Sequence, residues 1–364
     1  MEYETSRRKM EHLELCAHSH VESRKVSAGF EDVMLIHRAL PEISMNDIDM
    51  SVDFFGKTLS FPFLIASITG GHPETAPVNA AMAEAAEKIG IGIGVGSQRA
   101  AIDDKTQVSS FKVVREKAPT AFVYANIGAA QLLEYSLSKI ESAVEMIDAD
   151  AIAVHLNFLQ EAIQPEGDRN AKGCLEKIEE LCSVSSVPVF AKETGAGISR
   201  EDALMLKKAG VSAIDVGGVG GTSWAGVEVY RARQTADTLG EYLGELFWDF
   251  GIPTVSSIVE CKVSVPVIAT GGIRTGIDVA KSIALGATVG SAALPFVGAA
   301  LEGPNAVLNK LELIRQELKA AMFLTGCDTV ADLSRTNIAI TGRTYEYLNQ
   351  RGFNVRDYAN KEML

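Results

Sequence analysis

The sequence predicts a closed (β/α)8 barrel of the TIM-barrel type, and three observations carry that prediction. Short apolar runs recur along the chain, amphipathic stretches separate them, and polar residues gather just beyond each run. The runs are "FLIAS" (63–67), "IGIGV" (91–95), "FVYAN" (122–126), "AIAVH" (151–155), "PVFAK" (188–192), "AIDVG" (213–217), "PVIAT" (266–270) and "ATVGS" (287–291), which makes eight strands. Strands that are apolar on both faces and spaced by helices form a parallel sheet, and eight such units close into a barrel. A doubly wound open sheet is the competing architecture.

The connecting segments support the same reading. "PVNAAMAEAAEKIG", "CLEKIEELCSV", "SREDALMLKKAG" and "GIDVAKSIALGA" place apolar residues at helical spacing, with glycine near several ends. Residues 1–60 precede the repeat as an N-terminal extension, 61–300 form the barrel, and 301–364 read as a C-terminal helical segment packed on it. A long insertion after strand six, about 219 to 250, carries helical periodicity and is expected to be a partly helical lid or an oligomer contact.

Composition narrows the function. The hydrophobic fraction is 47% and the charged fraction 22%, ordinary for a globular protein with a sizeable core. A formal net charge of -13 disfavours nucleic acid and anionic membranes as partners. Five scattered cysteines without paired spacing, and the lack of an apolar leader or long apolar run, lead to the expectation of a reduced, cytoplasmic protein.

In a parallel barrel the strand C-terminal ends build the active site, and the polar residues of this chain sit there. Strand one ends in Ser67 and "TGG", strand two in "GSQR", strand three in Asn126, strand five in "KE", strand six in "GGVGGTS" and strand seven in "TGGIR". After strand four, "HLNFLQE" brings together His155, Asn157, Gln160 and Glu161. The central glutamine is unexpected, because a carboxamide neither gives nor takes a proton at neutral pH. "ATGGIRTG" (269–276) and "GSAA" (290–293) fall on the loops that commonly hold phosphate in this fold, where glycine exposes backbone N–H groups and Arg274 adds a cationic fork.

Lys192 has three uses open to it: a Schiff base, a phosphate contact, or a cation held against an electron-rich ring. A salt bridge to Glu193 is the plain alternative. Thr222 and Ser223 offer hydroxyls to a ligand or to a turn. Glu161 suits a hard cation such as Mg²⁺ or is a surface glutamate, and His155 and Asn157 are ligand contacts or satisfied polar residues of the barrel layer. Near the start, "SRRKMEHLE" concentrates Arg7, Arg8, Lys9 and His12, an arm able to bring cations to a phosphorylated substrate. Gln98 and Arg99 are placed to complete that pocket.

Taken in order, "SRRKMEHLE", "ITGG", "GSQR", Asn126, "HLNFLQE", "AKE", "GGTSW" and "ATGGIR" resemble the type 2 isopentenyl-diphosphate isomerases, flavin-dependent (β/α)8 enzymes of isoprenoid synthesis. The resemblance implies that Arg8, Lys9, His12, Ser97, Gln98, Arg99, His155, Asn157 and Gln160 bind a diphosphate substrate. It implies that Ser67, Ile68, Thr69, Ser97, Asn126, Lys192, Thr222, Gly272, Arg274, Ala292 and Ala293 bind FMN, with Lys192 at the N1/C2 edge, and that Glu161 holds Mg²⁺. The family usually has methionine where this chain has Ile68. NADPH as reductant and a homo-oligomer, tetramer or octamer, follow from the same resemblance. A ring that supplies acid and base leaves Gln160 as the catalytic side chain, orienting substrate or relaying a proton without a carboxylate that would quench a cationic state. The rivals are an FMN-dependent oxidoreductase on the same barrel, a Schiff-base aldolase using Lys192, and a flavin carrier.

Overall fold

A computed structural model describes residues 2–361, with side chains described from residue 9 onward. Three short strands precede the barrel: β1 (Val33–Leu35), β2 (Val52–Phe54) and β3 (Lys57–Leu59). The barrel strands are β4 (Phe63–Ile65), β5 (Gly92–Gly94), β6 (Val123–Gly128), β7 (Ala151–Leu156), β8 (Val189–Glu193), β9 (Ala213–Asp215), β10 (Val267–Thr270) and β11 (Val289–Ala292). They pair in parallel in that order, and β11 pairs with β4 to close the cylinder. All eight coincide with the apolar runs of the sequence to within two residues at either end. A last strand, β12 (Ile338–Ile340), runs antiparallel to β1 with Val33 opposite Ile340.

Each strand is apolar on both faces because both faces are covered. Outward residues meet the helices, while Leu64, Phe122, Tyr124, Ala153, Phe190, Ile268 and Val289 form one cluster inside the cylinder. Phe54 and Leu59 belong to that same cluster, so the β2–β3 hairpin stops the N-terminal end of the barrel. Phe54 meets Phe122 and Phe190 with ring centroids 5.0 and 6.0 Å apart. The two-residue turn sets Phe55 at φ 51° and Gly56 at φ 79°, both positive as a type I′ hairpin demands. Such a φ is costly for a bulky residue, and the Phe55 ring is held there against Phe190 at 5.0 Å.

The helices start and stop on local chemistry. Gly276–Leu285 opens on a capping box between Thr275 and Asp278 and ends at Gly286 with φ 118°. The 22-residue helix Pro304–Thr325 lies between that helix and Ala76–Ile89, completing the outer ring where the barrel closes. The segment after β9 folds as two helices, Trp224–Thr235 and Thr238–Leu246, packed on each other. The N-terminal helix Glu2–His18 crosses to meet Trp224–Thr235 and Leu294–Glu302. Its Leu15 and Cys16 share a small apolar cluster with Val21, Val227, Trp224 and Leu294. No helix among the described residues is long and apolar enough to cross a membrane.

The barrel stopper yields a test. Phe54→Ala removes a ring that is 2% exposed and should cost about 3–5 kcal/mol of stability, read as a lower urea midpoint with an unchanged slope.

Candidate active site

A cavity sits at the C-terminal rim, and all eight barrel strands contribute to its wall. The contributions are Ser67 beyond β4, Ser97 beyond β5, Asn126 in β6, His155 in β7, Lys192 in β8, Gly217 beyond β9, Thr270 in β10 and Ala292 in β11. The N-terminal helix adds Lys9 and His12, and the inserted helix adds Trp224. Counted with the solvent space at its open mouth, the cavity measures about 1260 Å³.

Of the residues expected at the site, Lys9, His12, Ser67, Ile68, Ser97, Arg99, Asn126, His155, Asn157, Gln160, Glu161, Lys192, Thr222, Gly272, Arg274, Ala292 and Ala293 line this one cavity. Arg8 lies outside the residues whose side chains are described. Two others are not brought to the wall. Gln98 is fully buried, donates from Nε2 to the Ala143 carbonyl at 2.8 Å and accepts the Asn126 backbone N–H at 3.0 Å. It holds Asn126 in place rather than facing a ligand. Thr69 is also buried, and its carbonyl accepts from Gly96 N and Asn79 Nδ2.

Asn126 in turn fixes the state of His155. Its Nδ2 donates to the Val95 carbonyl at 3.1 Å, so its Oδ1 must accept from His155 Nδ1, 2.8 Å away. The imidazole proton therefore sits on Nδ1 and the Nε2 lone pair is left as an acceptor. Burial, followed by the charges of Lys9 and Lys192, pulls this imidazole down to about 3, so it is neutral at pH 7.

Gln160 is set by a residue that the sequence did not single out. Its Nε2 donates to Glu228 Oε1 at 2.7 Å, and Glu228 comes from the inserted helix Trp224–Thr235. Because a carboxylate can only accept, it fixes the amide nitrogen toward itself and leaves Gln160 Oε1 beside Asn157 Nδ2 at 3.4 Å. Arg231 binds the other oxygen of Glu228 at 2.6 Å, and His12 Nε2 lies 3.5 Å from the first. Burial alone would raise the Glu228 carboxyl, but the neighbouring His12 ring and the Arg231 guanidinium hold it down at about 2. A carboxylate thus stands directly behind the glutamine, which qualifies the expectation of a position free of such charge. The signal was a lone acid within the apolar stretch "WAGVEVY".

Glu161 accepts Asn157 Nδ2 at 2.8 Å on Oε1, and Gln164 Nε2 and Asp168 N at 2.6 and 2.7 Å on Oε2. No group of three acidic, histidine or cysteine ligands able to hold a metal occurs among the described residues. Arg99 pairs with Asp168 at 3.2 Å, and Arg274 pairs with Glu22. Lys192 does not bridge to the Glu193 carboxylate. It pairs with Asp215 across the β8–β9 register at 3.0 Å, while one Glu193 oxygen accepts the N–H groups of Thr194, Gly195 and Ala196. Asp215, a charged residue inside the run "AIDVG", is the second group missed.

On the far side of the mouth the loops after β9 and β10 press together. A Cβ on Gly272, which has φ 68°, would fall 2.5 Å from the Gly220 carbonyl oxygen, so glycine is required there. The nearby helix Leu294–Glu302 begins at the rim with no side-chain cap; Pro295 carries no N–H and Phe296 N–H donates to the Ala293 carbonyl at 3.0 Å, which leaves the Leu294 N–H for a ligand or water.

Comparison with known proteins agrees with this arrangement. The family model described as FMN-dependent dehydrogenase matches residues 1–154 and 125–340. The isopentenyl-diphosphate delta-isomerase of Methanosarcina barkeri is 69% identical, covering 98% of this chain and 97% of that protein. The chain belongs to the isopentenyl-diphosphate delta-isomerase family. The Archaeoglobus fulgidus member is 59% identical over 96% of this chain. Among solved structures, a mandelate oxidase variant with an FMN monooxide adduct superposes with a TM-score of 0.63, covering 93% of this chain and 99% of that one at 20% identity. A Pediococcus acidilactici lactate oxidase, described as putative, gives 0.64 at 17% identity, covering 94% of each chain. At such identities these two show that the family's fold here is a TIM barrel.

The neutral imidazole gives a pH test. An unfolded His155 protonates below 6.5, whereas the folded one resists down to about 3, so the unfolded state binds more protons and stability falls as pH drops through that window. His155→Gln should flatten the acid limb, with a urea midpoint that changes less between pH 6.5 and about pH 5 than in the unaltered protein.

Proposed function

We propose that the protein interconverts isopentenyl and dimethylallyl diphosphate by a 1,3-allylic proton shift, with reduced FMN as its cofactor, in isoprenoid biosynthesis. The observation that carries the reading is Gln160, a carboxamide at the centre of the rim and locked between Glu228 and Asn157, in a chain of this family. When bound, reduced FMN supplies an acid and a base from its ring nitrogens with no net redox change. Among the described residues, the buried hydroxyls of Ser67, Thr270 and Ser291 have no protein partner, which fits a polar ligand seated on the barrel floor. The glycine-tight loops at Gly220 and Gly272, with the uncapped helix at Ala293, fit a phosphate. Ser67, Ile68, Thr69, Ser97, Asn126, Lys192, Thr222, Gly272, Arg274, Ala292 and Ala293 are the residues that would hold FMN, with Thr69 acting from behind the wall through the loop that its carbonyl ties to Gly96.

Lys9, His12, Ser97 and Arg99, with Arg8, would bind the substrate diphosphate, and Gln98 would support them from behind Asn126. His155, neutral with its Nε2 lone pair free to accept, and Asn157 would orient the same ligand without adding a positive charge beside an allylic cation. Gln160 would hold or pass the moving proton, its amide kept in one orientation by Glu228. Glu161 offers one carboxylate, which suits Mg²⁺ held chiefly by water and substrate phosphates. The reading also includes NADPH as reductant, a cytoplasmic location and a homo-oligomer, tetramer or octamer. The exposed Leu239, Tyr242 and Leu246 on the helix Thr238–Leu246 support the last point. Residues 1–60, 61–300 and 301–364 then serve as arm, barrel and outer support.

An anaerobic assay decides the matter. Isopentenyl diphosphate should be converted by the FMN-loaded protein only after dithionite reduction, and conversion by FMN-free protein, or none after reduction, would overturn the proposal. Gln160→Ala should lower turnover about 10²–10⁴-fold while FMN stays bound. Near-normal turnover would remove Gln160 from the mechanism.

A further inference from the structure

Lys192 and Asp215 are opposed in the β8–β9 register, so the parallel pairing of two barrel strands fixes one ammonium against one carboxylate. Nζ and Oδ2 are 3.0 Å apart, and the side chains are 6% and 2% exposed. The two are not equivalent toward the cavity. Lys192 lines it, whereas Asp215, 1% exposed as a whole residue, is not part of its wall and meets it through the ammonium. Asp215 Oδ1 has no hydrogen-bond partner among the described residues, so this carboxylate is held mainly by Lys192. A buried charge left half-satisfied is costly and calls for a reason. Tyr124 is its polar neighbour on the barrel floor, a fully buried phenol that burial and the Asp215 charge both keep protonated.

We infer that Asp215 is a positioning residue: it sets how much of the Lys192 charge reaches the cavity floor, and through it the reduction potential of the bound cofactor. The inference rests on the FMN reading above. A lone ammonium would act there as a full positive charge, whereas an ammonium backed by a carboxylate acts as a dipole whose field fades faster with distance. The floor is therefore only mildly positive. A reduced ring carries more negative charge than an oxidised one, so a full positive charge would stabilise the reduced form further. The pair restrains that effect, and the empty acceptor on Oδ1 is what the restraint costs in stability.

The test is a dye-coupled anaerobic titration of the FMN-loaded protein. Asp215→Asn should shift the reduction equilibrium at least tenfold toward reduced FMN, about 30 mV for a two-electron couple. Lys192→Met should shift it the other way, and the double variant should return to within about threefold of the unaltered protein, as expected when a charge pair is deleted whole. A pair that serves packing alone would alter thermal stability without moving the potential in opposite directions. An unmoved potential in Asp215→Asn, or shifts of the same sign in both single variants, would overturn the inference. Should Asp215→Asn lose FMN, recovery of binding in the double variant supports charge balance at the floor, and loss in both overturns it. An unaltered protein that binds no FMN would overturn the functional reading itself, an outcome distinct from bound FMN with an indifferent Asp215.

Discussion

Aromatic rings fill the lower half of the barrel, and the position of every group at the rim depends on them. Phe54, Phe122, Tyr124 and Phe190 interlock within the cylinder, and the hairpin that delivers Phe54 shuts its base. A close-packed interior transmits position because side chains have nowhere to move. The Tyr124 hydroxyl reaches up from that layer to accept the Ser67 backbone N–H at 3.3 Å, joining core to cavity floor. Ligand-facing residues can therefore be short and polar, since they stand on a surface that does not yield.

Above the floor, order is imposed by charge. The chain is acidic overall at -13, yet the cavity gathers Lys9, Arg99, Lys192 and Arg274 on its wall. Several of these cations are tied to an acid: Arg99 to Asp168, Lys192 to Asp215, and Arg274 to Glu22. Glu228 draws Gln160, Arg231 and His12 onto one carboxylate, so three separate parts of the chain meet at a single buried group. Anionic ligands then enter a site whose cations are already aimed, which lessens the ordering cost of binding.

The sequence was informative wherever one residue sufficed to report its surroundings. Apolar runs revealed all eight barrel strands because a buried parallel strand must be apolar on both faces, and the rim residues followed from their place at the strand ends. It was silent where meaning arises between distant segments. The β1–β12 pairing joins residues about three hundred positions apart in three-residue strands, too short to show a period. Glu228 and Asp215 carry no sequence signal of their own, and their roles show only once Gln160 and Lys192 are placed against them. Gln98 misled because "GSQR" looked like one polar unit. Successive residues of a turn face different ways, and Ser97 and Arg99 face the cavity while Gln98 does not.

The pairing of β1 with β12 bears on how the molecule is made. Val33–Leu35 leaves the ribosome about three hundred residues ahead of its hydrogen-bonding partner at Ile338–Ile340. The seam between β4 and β11 has the same delay, since Phe63 must wait for Gly290. Such pairings can form only after both members have been made, and closing loops of this length slows assembly. Until those partners are made, β1 and β4 carry unpaired strand edges, a liability in a crowded cell that chaperone shelter would relieve.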